Sequence, residues 1–188
     1  YDLFLKEFEA SNLHTEVRMR KAETVLQSGD VEAAKKLFGA VAAVNGFASA
    51  DHAIYRQAYA AAKLEQFKEA GKLYAKLATD FPNSAYVPDA MLSAGRTFYR
   101  TEDFANASTW FQKALDSGKG DVTEAAHWLC RIHMQNGEPQ QAVSLAEQQL
   151  PKAVDSPFLV QLKMDQADAL YEVEGRRDDA LSGYLKIA

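Results

Sequence analysis

The chain has 188 residues, of which 47% are hydrophobic and 25% charged, and its formal net charge is −5. This composition is typical of a globular chain and excludes an intrinsically disordered one, and the single cysteine excludes an internal disulfide. The acidic balance argues against general nucleic-acid binding, which needs a basic surface, and no apolar run approaches the ~18 residues of a membrane-spanning helix.

An alanine recurs along the chain at intervals of 35 to 38 residues, at Ala34, Ala70, Ala107, Ala142 and Ala180. An aromatic residue follows four positions later in four of the five cases, at Phe38, Tyr74, Phe111 and Tyr184. In the remaining case, Ala146 takes the place of the aromatic residue. Residues four apart share one face of a helix, and recurrence at such a period predicts a solenoid in which each repeat is one supersecondary unit.

Each repeat is predicted to contain two helices joined by a short polar turn. The second helix carries the recurring alanine, and the first carries a small residue near its middle, namely Ala22, Ala58, Gly95, Cys130 or Ala167. Small residues let two helices approach closely, so Gly95 and Ala107 are expected to face each other where the two helices of the third repeat cross. In chain order the predicted helices span residues 14–28, 31–45, 51–65, 67–80, 86–101, 104–117, 122–136, 139–150 and 157–173, with a partial helix at each end. No segment shows the alternation expected of a strand.

Three helix boundaries are marked by specific residues. Asp121 is predicted to cap the helix that starts at Val122, with Glu124 reaching back as in a capping box. Ser156 followed by Pro157 is predicted to start the next first helix. Pro151 is predicted to end the helix before it, because proline disfavours a helical residue at the position that precedes it.

Both ends of the chain lack the polar capping element with which natural solenoids finish. Phe8 aligns with Phe81 at an offset of two repeats, so residues 1–8 are predicted to be the last turns of a second helix. Ala188 lies eight residues after Ala180, inside the last predicted helix. We therefore expect the chain to be an excised segment of a longer protein.

The third repeat carries the family resemblance most clearly. It places Met91, Ala94, Gly95 and Phe98 on its first helix, and Ala107 and Phe111 on its second. This pattern resembles the tetratricopeptide repeat. The resemblance covers the whole chain and implies an all-α, right-handed superhelical solenoid of antiparallel helix pairs with about five repeats. The single domain 1–188 would then consist of a partial repeat 1–13 and repeats at about 14–48, 49–85, 86–121, 122–155 and 156–188.

The resemblance also implies a location and a binding surface. Repeats of this length are similar to those of periplasmic outer-membrane-assembly and Tol–Pal-associated members, which favours a bacterial periplasm or cell envelope over the cytoplasm without fixing the compartment. In this family the first helix of each repeat lines a concave groove. Carried over to this sequence, the groove residues are Tyr55, Arg56, Tyr59, Lys63, Arg96, Tyr99, Arg100, His127 and Arg131.

Arginine and tyrosine are enriched at binding hot spots, and the basic, aromatic centre of this groove favours an acidic peptide or protein partner. The alternative is that these charges are only solvated and that Tyr59 and Tyr99 pack against their neighbours.

No residue pattern indicates catalysis or a cofactor. His127, Cys130 and His133 are metal-ligand types on one helix, but their spacing is not the i, i+4 of a single-helix site. Cys130 is predicted to be a buried structural residue. Gly118 and Gly120 flank Lys119 without the strand and full motif of a phosphate loop. We therefore predict no metal, no cofactor and no nucleophile–base pair.

Three functions remain open at this point. The first is a non-catalytic protein–protein interaction scaffold. The second is an accessory segment of a larger envelope assembly or secretion machine, or of an enzyme. The third is a self-assembling module that associates through its uncapped ends.

Overall fold

The computed structural model describes residues 1–187, and regular structure within them is entirely helical. The α-helices are α1 (Asp2–Glu7), α2 (His14–Gln27), α3 (Val31–Ala42), α4 (Ala50–Lys63), α5 (Phe67–Asp80), α6 (Val87–Arg100), α7 (Phe104–Ser117), α8 (Val122–Gln135), α9 (Pro139–Gln149), α10 (Leu159–Glu172) and α11 (Arg177–Leu185). A 3-10 turn follows α9 at Leu150–Lys152. The all-α prediction is confirmed, and the nine complete predicted helices agree with the structure to within three residues at each end.

The contacts between helices divide the chain into two compact units. In the first, Tyr1–Asp103, helices α2 to α6 each pack against the next helix in sequence. In the second, which starts at Phe104, helices α7 to α11 do the same, and α8 also contacts α10. The division falls between the two helices of the predicted repeat 86–121. The predicted boundaries of the repeats therefore stay a prediction.

The recurring alanines form the centre of each helix pair. All five are fully buried, and so are Phe38 and Phe111. Small side chains at these positions allow the close packing that protein interiors require. The predicted crossing of Gly95 with Ala107 joins residues of different units and stays a prediction.

Replacing Ala107 with leucine tests the register of the repeat. Ala107 is fully buried, so three added heavy atoms should overpack its surroundings and lower the free energy of unfolding by about 1–3 kcal/mol. Ala105→Leu is the matched control, because Ala105 is exposed on the same helix. Denaturant unfolding of both variants is the measurement. Equal midpoints would show that the assignment of Ala107 to the packed face is wrong.

A residue in the left-handed region recurs in the turn between the two helices of each repeat, with φ between 59° and 94°. The five positions are Gly29, Glu65, Glu102, Gly137 and Gly175. Glycine adopts this conformation without strain, whereas a glutamate does so at a cost. The tight turn is therefore kept in two repeats where the sequence has no glycine.

The structure confirms two helix boundaries and corrects the third. Asp121 accepts hydrogen bonds from the backbone N–H groups of Thr123 and Glu124, both at 3.1 Å, whereas the capping-box contact from the Glu124 side chain stays a prediction. Helix α9 ends at Gln149, one residue before the predicted end at residue 150. The prediction that Ser156 caps a helix starting at residue 157 is wrong, since α10 begins at Leu159. The Ser156 hydroxyl accepts a bond from the N–H of Phe158 at 3.1 Å and donates to the Asp121 carboxylate at 2.9 Å. Ser156 therefore closes the turn that precedes the helix.

None of the helices within the described residues is both long enough and apolar enough to cross a membrane.

Candidate functional site

Seven of the predicted groove residues lie on two first helices of the first unit. Helix α4 carries Tyr55, Arg56, Tyr59 and Lys63, and α6 carries Arg96, Tyr99 and Arg100. None of the seven is fully buried, and the side chains of Lys63 and Arg100 are exposed. This surface, defined by these seven residues, is called the α4–α6 face below.

Arg56 is held by a carboxylate of its own chain. Its Nε donates to Oε1 of Glu23 on α2 at 2.7 Å, and its Nη2 donates to Oε2 at 2.6 Å. Such a two-bond fork is the strongest form of arginine–carboxylate pairing. The guanidinium also lies 5.2 Å from the ring centroid of Tyr59, within cation–π range. An incoming carboxylate would have to displace Glu23 to reach Arg56.

Asp89 organises the other half of the α4–α6 face. Its carboxylate accepts a hydrogen bond from the Tyr55 hydroxyl and lies 3.8 Å from Nη2 of Arg96. The same Arg96 nitrogen donates to the Ser93 hydroxyl at 2.8 Å. Burial first, and then the bond to Asp89, raise the pKa of the Tyr55 phenol, so Tyr55 remains a neutral donor.

Lys63 and Arg100 are the cations of this face that stay open. Lys63 Nζ lies 5.6 Å from the Tyr59 ring centroid, and Arg100 Cζ lies 4.5 Å from that of Phe67. No ion pair joins either side chain to a carboxylate of residues 1–187. Both can therefore accept a negatively charged group from outside the chain.

His127 and Arg131 lie in the second unit, on α8. His127 Nδ1 is 2.6 Å from Oδ2 of Asp165 on α10, and both side chains are largely buried. The imidazole also contacts the rings of Trp128 and Phe158, at centroid distances of 4.9 and 5.7 Å. His127 therefore links α8 to α10, whereas Arg131 is exposed.

Asp165 is the acidic residue in this contact between α8 and α10. Burial raises the pKa of its carboxyl, and the hydrogen bond and charge of His127 oppose that shift. The positive charge of Arg131 also lowers the Asp165 pKa, while the nearby Asp168 raises it.

Cys130 and His133 are the other two residues of metal-ligand type on α8, and both have ordinary structural surroundings. Cys130 is fully buried and its Sγ donates weakly to the carbonyl of Ala142 at 3.5 Å. Burial raises the pKa of this thiol, which leaves it unreactive. His133 Nδ1 lies 2.8 Å from Oε2 of Glu138. Across residues 1–187, no three His, Cys, Asp or Glu side chains converge in a way that could hold a metal ion.

A comparison with protein-family models matches residues 45–186 to the tetratricopeptide repeat-like domain. The chain belongs to this family. The predicted resemblance to tetratricopeptide repeats is thus confirmed, whereas the closer likeness to Tol–Pal-associated and outer-membrane-assembly members stays a prediction.

Solved tetratricopeptide repeat structures share the fold. The MamA protein superposes with a TM-score of 0.75 at 16% identity, covering 94% of this chain and 91% of MamA. YrrB, described as a tetratricopeptide repeat protein with an unusual peptide-binding site, gives 0.73 at 18% identity, covering 98% and 90%. The tetratricopeptide-like repeats of a putative kinesin light chain from Podosopora anserina give 0.66 at 18%, covering 92% of both chains. No curated protein matches the chain.

The sequence analysis did not identify the carboxylates that pair with the predicted groove residues on the first helix of each repeat. The sequence did not indicate that Glu23 pairs with Arg56, that Asp165 pairs with His127, or that Asp89 pairs with Tyr55. The position of each residue relative to the recurring small residue of its helix indicates which side chains pair. Glu23 directly follows Ala22, and Arg56 stands two residues before Ala58, so the residue after one recurring small residue meets the residue two before the next.

Proposed function

We propose that this chain is a non-catalytic scaffold that binds a peptide or partner protein on the first helices of its repeats. The observation that carries this proposal is the α4–α6 face, where Lys63 and Arg100 remain open beside aromatic rings. Membership of the tetratricopeptide repeat-like family supports it, as does the peptide-binding site of the similarly folded YrrB.

The partner segment would carry carboxylates. The face already holds carboxylates of its own chain, since Glu23 is bound by Arg56 and Asp89 by Tyr55. A partner would add its acidic groups at Lys63 and Arg100 of the first unit. Exposed ion pairs contribute only about 0–1 kcal/mol each. Affinity would therefore be modest and would fall as salt screens the charges.

Reversing the two open charges tests this function. We expect the variant Lys63→Glu/Arg100→Glu to bind a labelled glutamate-rich peptide at least about tenfold more weakly than the wild type, because like charges now face each other. Fluorescence anisotropy at low and high salt is the measurement.

Lys68→Glu/Lys72→Glu is the matched control, since both lysines are exposed on α5 and the change in net charge is identical. A glutamine-rich peptide of the same length controls for shape. If both double variants lose binding equally, net charge alone is responsible and the α4–α6 face is not the site.

Self-association is the second candidate, favoured by the exposed Leu181 and Leu185 on α11. An accessory role in a larger envelope machine or enzyme, and a periplasmic location, stay predictions from the sequence.

A further inference from the structure

Asparagine is followed by glycine at two places in the sequence, at Asn45 before Gly46 and at Asn136 before Gly137. Both asparagines are exposed, and both glycines lie in turns with a positive φ, 75° at Gly46 and 72° at Gly137. Such pairs lose ammonia from the asparagine side chain when the backbone nitrogen of the glycine attacks it, because glycine has no Cβ to hinder the approach. Whether that nitrogen is already bonded therefore decides how fast each pair reacts.

The turn between α8 and α9 holds its glycine nitrogen in a hydrogen bond. The N–H of Gly137 donates to the carbonyl of Met134 at 3.1 Å, and the next N–H, that of Glu138, donates to the carbonyl of His133 at 2.8 Å. Asn136 is itself the C-terminal cap of α8 and keeps a helical backbone, with φ −82° and ψ −2°. Attack by the Gly137 nitrogen thus requires the end of α8 to open first.

The turn between α3 and α4 leaves its glycine nitrogen unbonded. The Phe47 N–H donates to the carbonyl of Val44 at 3.2 Å, which puts Asn45 and Gly46 at the two central positions of the turn. The positive φ of Gly46 fits the third residue of a type II turn. The amide between the two central residues takes no part in the bond that closes such a turn. Within residues 1–187, neither the Gly46 N–H nor the Asn45 side chain has a hydrogen-bond partner.

We propose that Asn45 is a site of spontaneous deamidation in the folded chain, whereas Asn136 is protected. The Gly46 nitrogen loses its proton to solvent and attacks Cγ of Asn45. The bond from Cγ to the side-chain nitrogen breaks, ammonia leaves, and a cyclic succinimide joins the two residues. Water then opens this ring at either of its carbonyl carbons, which gives aspartate or isoaspartate at position 45.

Both products change the connection between α3 and α4. Each adds a carboxylate to an exposed turn, and isoaspartate also adds a methylene group to the main chain. Phe47, which follows Gly46, packs against the buried cluster that contains Met19, Phe38 and Ala53. A longer main chain before Phe47 would shift its ring from this packed position, and protein interiors tolerate such shifts poorly. The isoaspartate form should therefore be less stable than the original chain.

Peptide mapping by mass spectrometry during incubation at mildly alkaline pH tests the proposal. We expect Asn45 to convert at least about fivefold faster than Asn136, the factor that corresponds to the net free energy of one hydrogen bond. Incubation in concentrated guanidinium chloride is the control, because both turns are then open and the two rates should become nearly equal. Equal rates in the folded chain, or no conversion at Asn45, would overturn the proposal. A difference that persists after unfolding would also overturn it, since the neighbouring residues and not the Gly137 bond would then be the cause.

The Asn45→Asp variant separates the added charge from the lengthened main chain. It carries the same new carboxylate on a normal backbone, so its urea midpoint should stay close to that of the wild type. The isoaspartate form, isolated by chromatography and identified by enzymatic methylation of its free carboxylate, should unfold at a lower urea concentration. Equal midpoints for the two would overturn the effect assigned to the added methylene group.

Discussion

Phe111→Ala is expected to lower the free energy of unfolding by about 3–5 kcal/mol, the usual cost of removing a fully buried phenylalanine. The ring has no exposed surface and stacks on Trp128 with a centroid separation of 6.0 Å and an interplanar angle of 11°. Truncation would leave a cavity between α7 and α8, and the packed helices can close it only in part. Urea denaturation followed by circular dichroism would give the loss directly.

Tyr184→Ala is the comparison that makes this result specific. Tyr184 holds the same place in the last repeat but is 36% exposed, so its loss should cost far less, mainly the bond to Asp168 at about 1 kcal/mol. If Phe111→Ala and Tyr184→Ala lower the free energy of unfolding equally, the contribution of the aromatic residue does not depend on its burial by the following helix.

His127→Ala is expected to destabilise the second unit by about 3–5 kcal/mol at neutral pH, because it leaves the buried Asp165 carboxylate without its partner. The wild-type atoms are 2.6 Å apart, and the side chain of Asp165 is only 4% exposed. Thermal and urea unfolding measured across pH would show both the size of the loss and its dependence on protons.

The direction of the pH dependence follows from the pKa of Asp165, which burial raises and His127 lowers. A carboxyl whose folded-state pKa is raised binds a proton more readily when folded. Its contribution to stability is therefore fully present below the unfolded-state pKa of about 4 and is lost as pH rises through the folded-state pKa. Removing His127 raises that pKa further, so the deficit of the variant should shrink as the pH is lowered towards 4.

Two control variants separate the buried charge from simple loss of packing. In His127→Ala/Asp165→Asn the charge is gone, so the deficit should be smaller and nearly independent of pH. His133→Ala removes a histidine whose pair with Glu138 is partly exposed, and it should cost less than about 1 kcal/mol. A pH-independent loss in the single variant would contradict the role assigned to Asp165.

Much of the fold could be read from the sequence because its signals are local. The spacing of the recurring alanines gave the helix pairs, since a helix face repeats every three to four residues whatever surrounds it. The prediction that Asp121 caps α8 held because a cap depends on residues one turn apart. The start of α10 was missed because the Ser156 hydroxyl bonds to Asp121, which lies 35 residues away in the sequence.

In the candidate site, too, some features follow from local sequence and others from contacts between residues that are distant in sequence. Which first-helix residues are charged or aromatic, and so the chemistry that the surface can offer, follows directly from the order of the residues. Which of those charges are already paired depends on contacts between helices. Arg56 meets Glu23 and His127 meets Asp165 because neighbouring repeats align their first helices, and composition does not record that alignment. Lys63 and Arg100 stay open for the converse reason, since neither forms an ion pair with a carboxylate of the described residues 1–187.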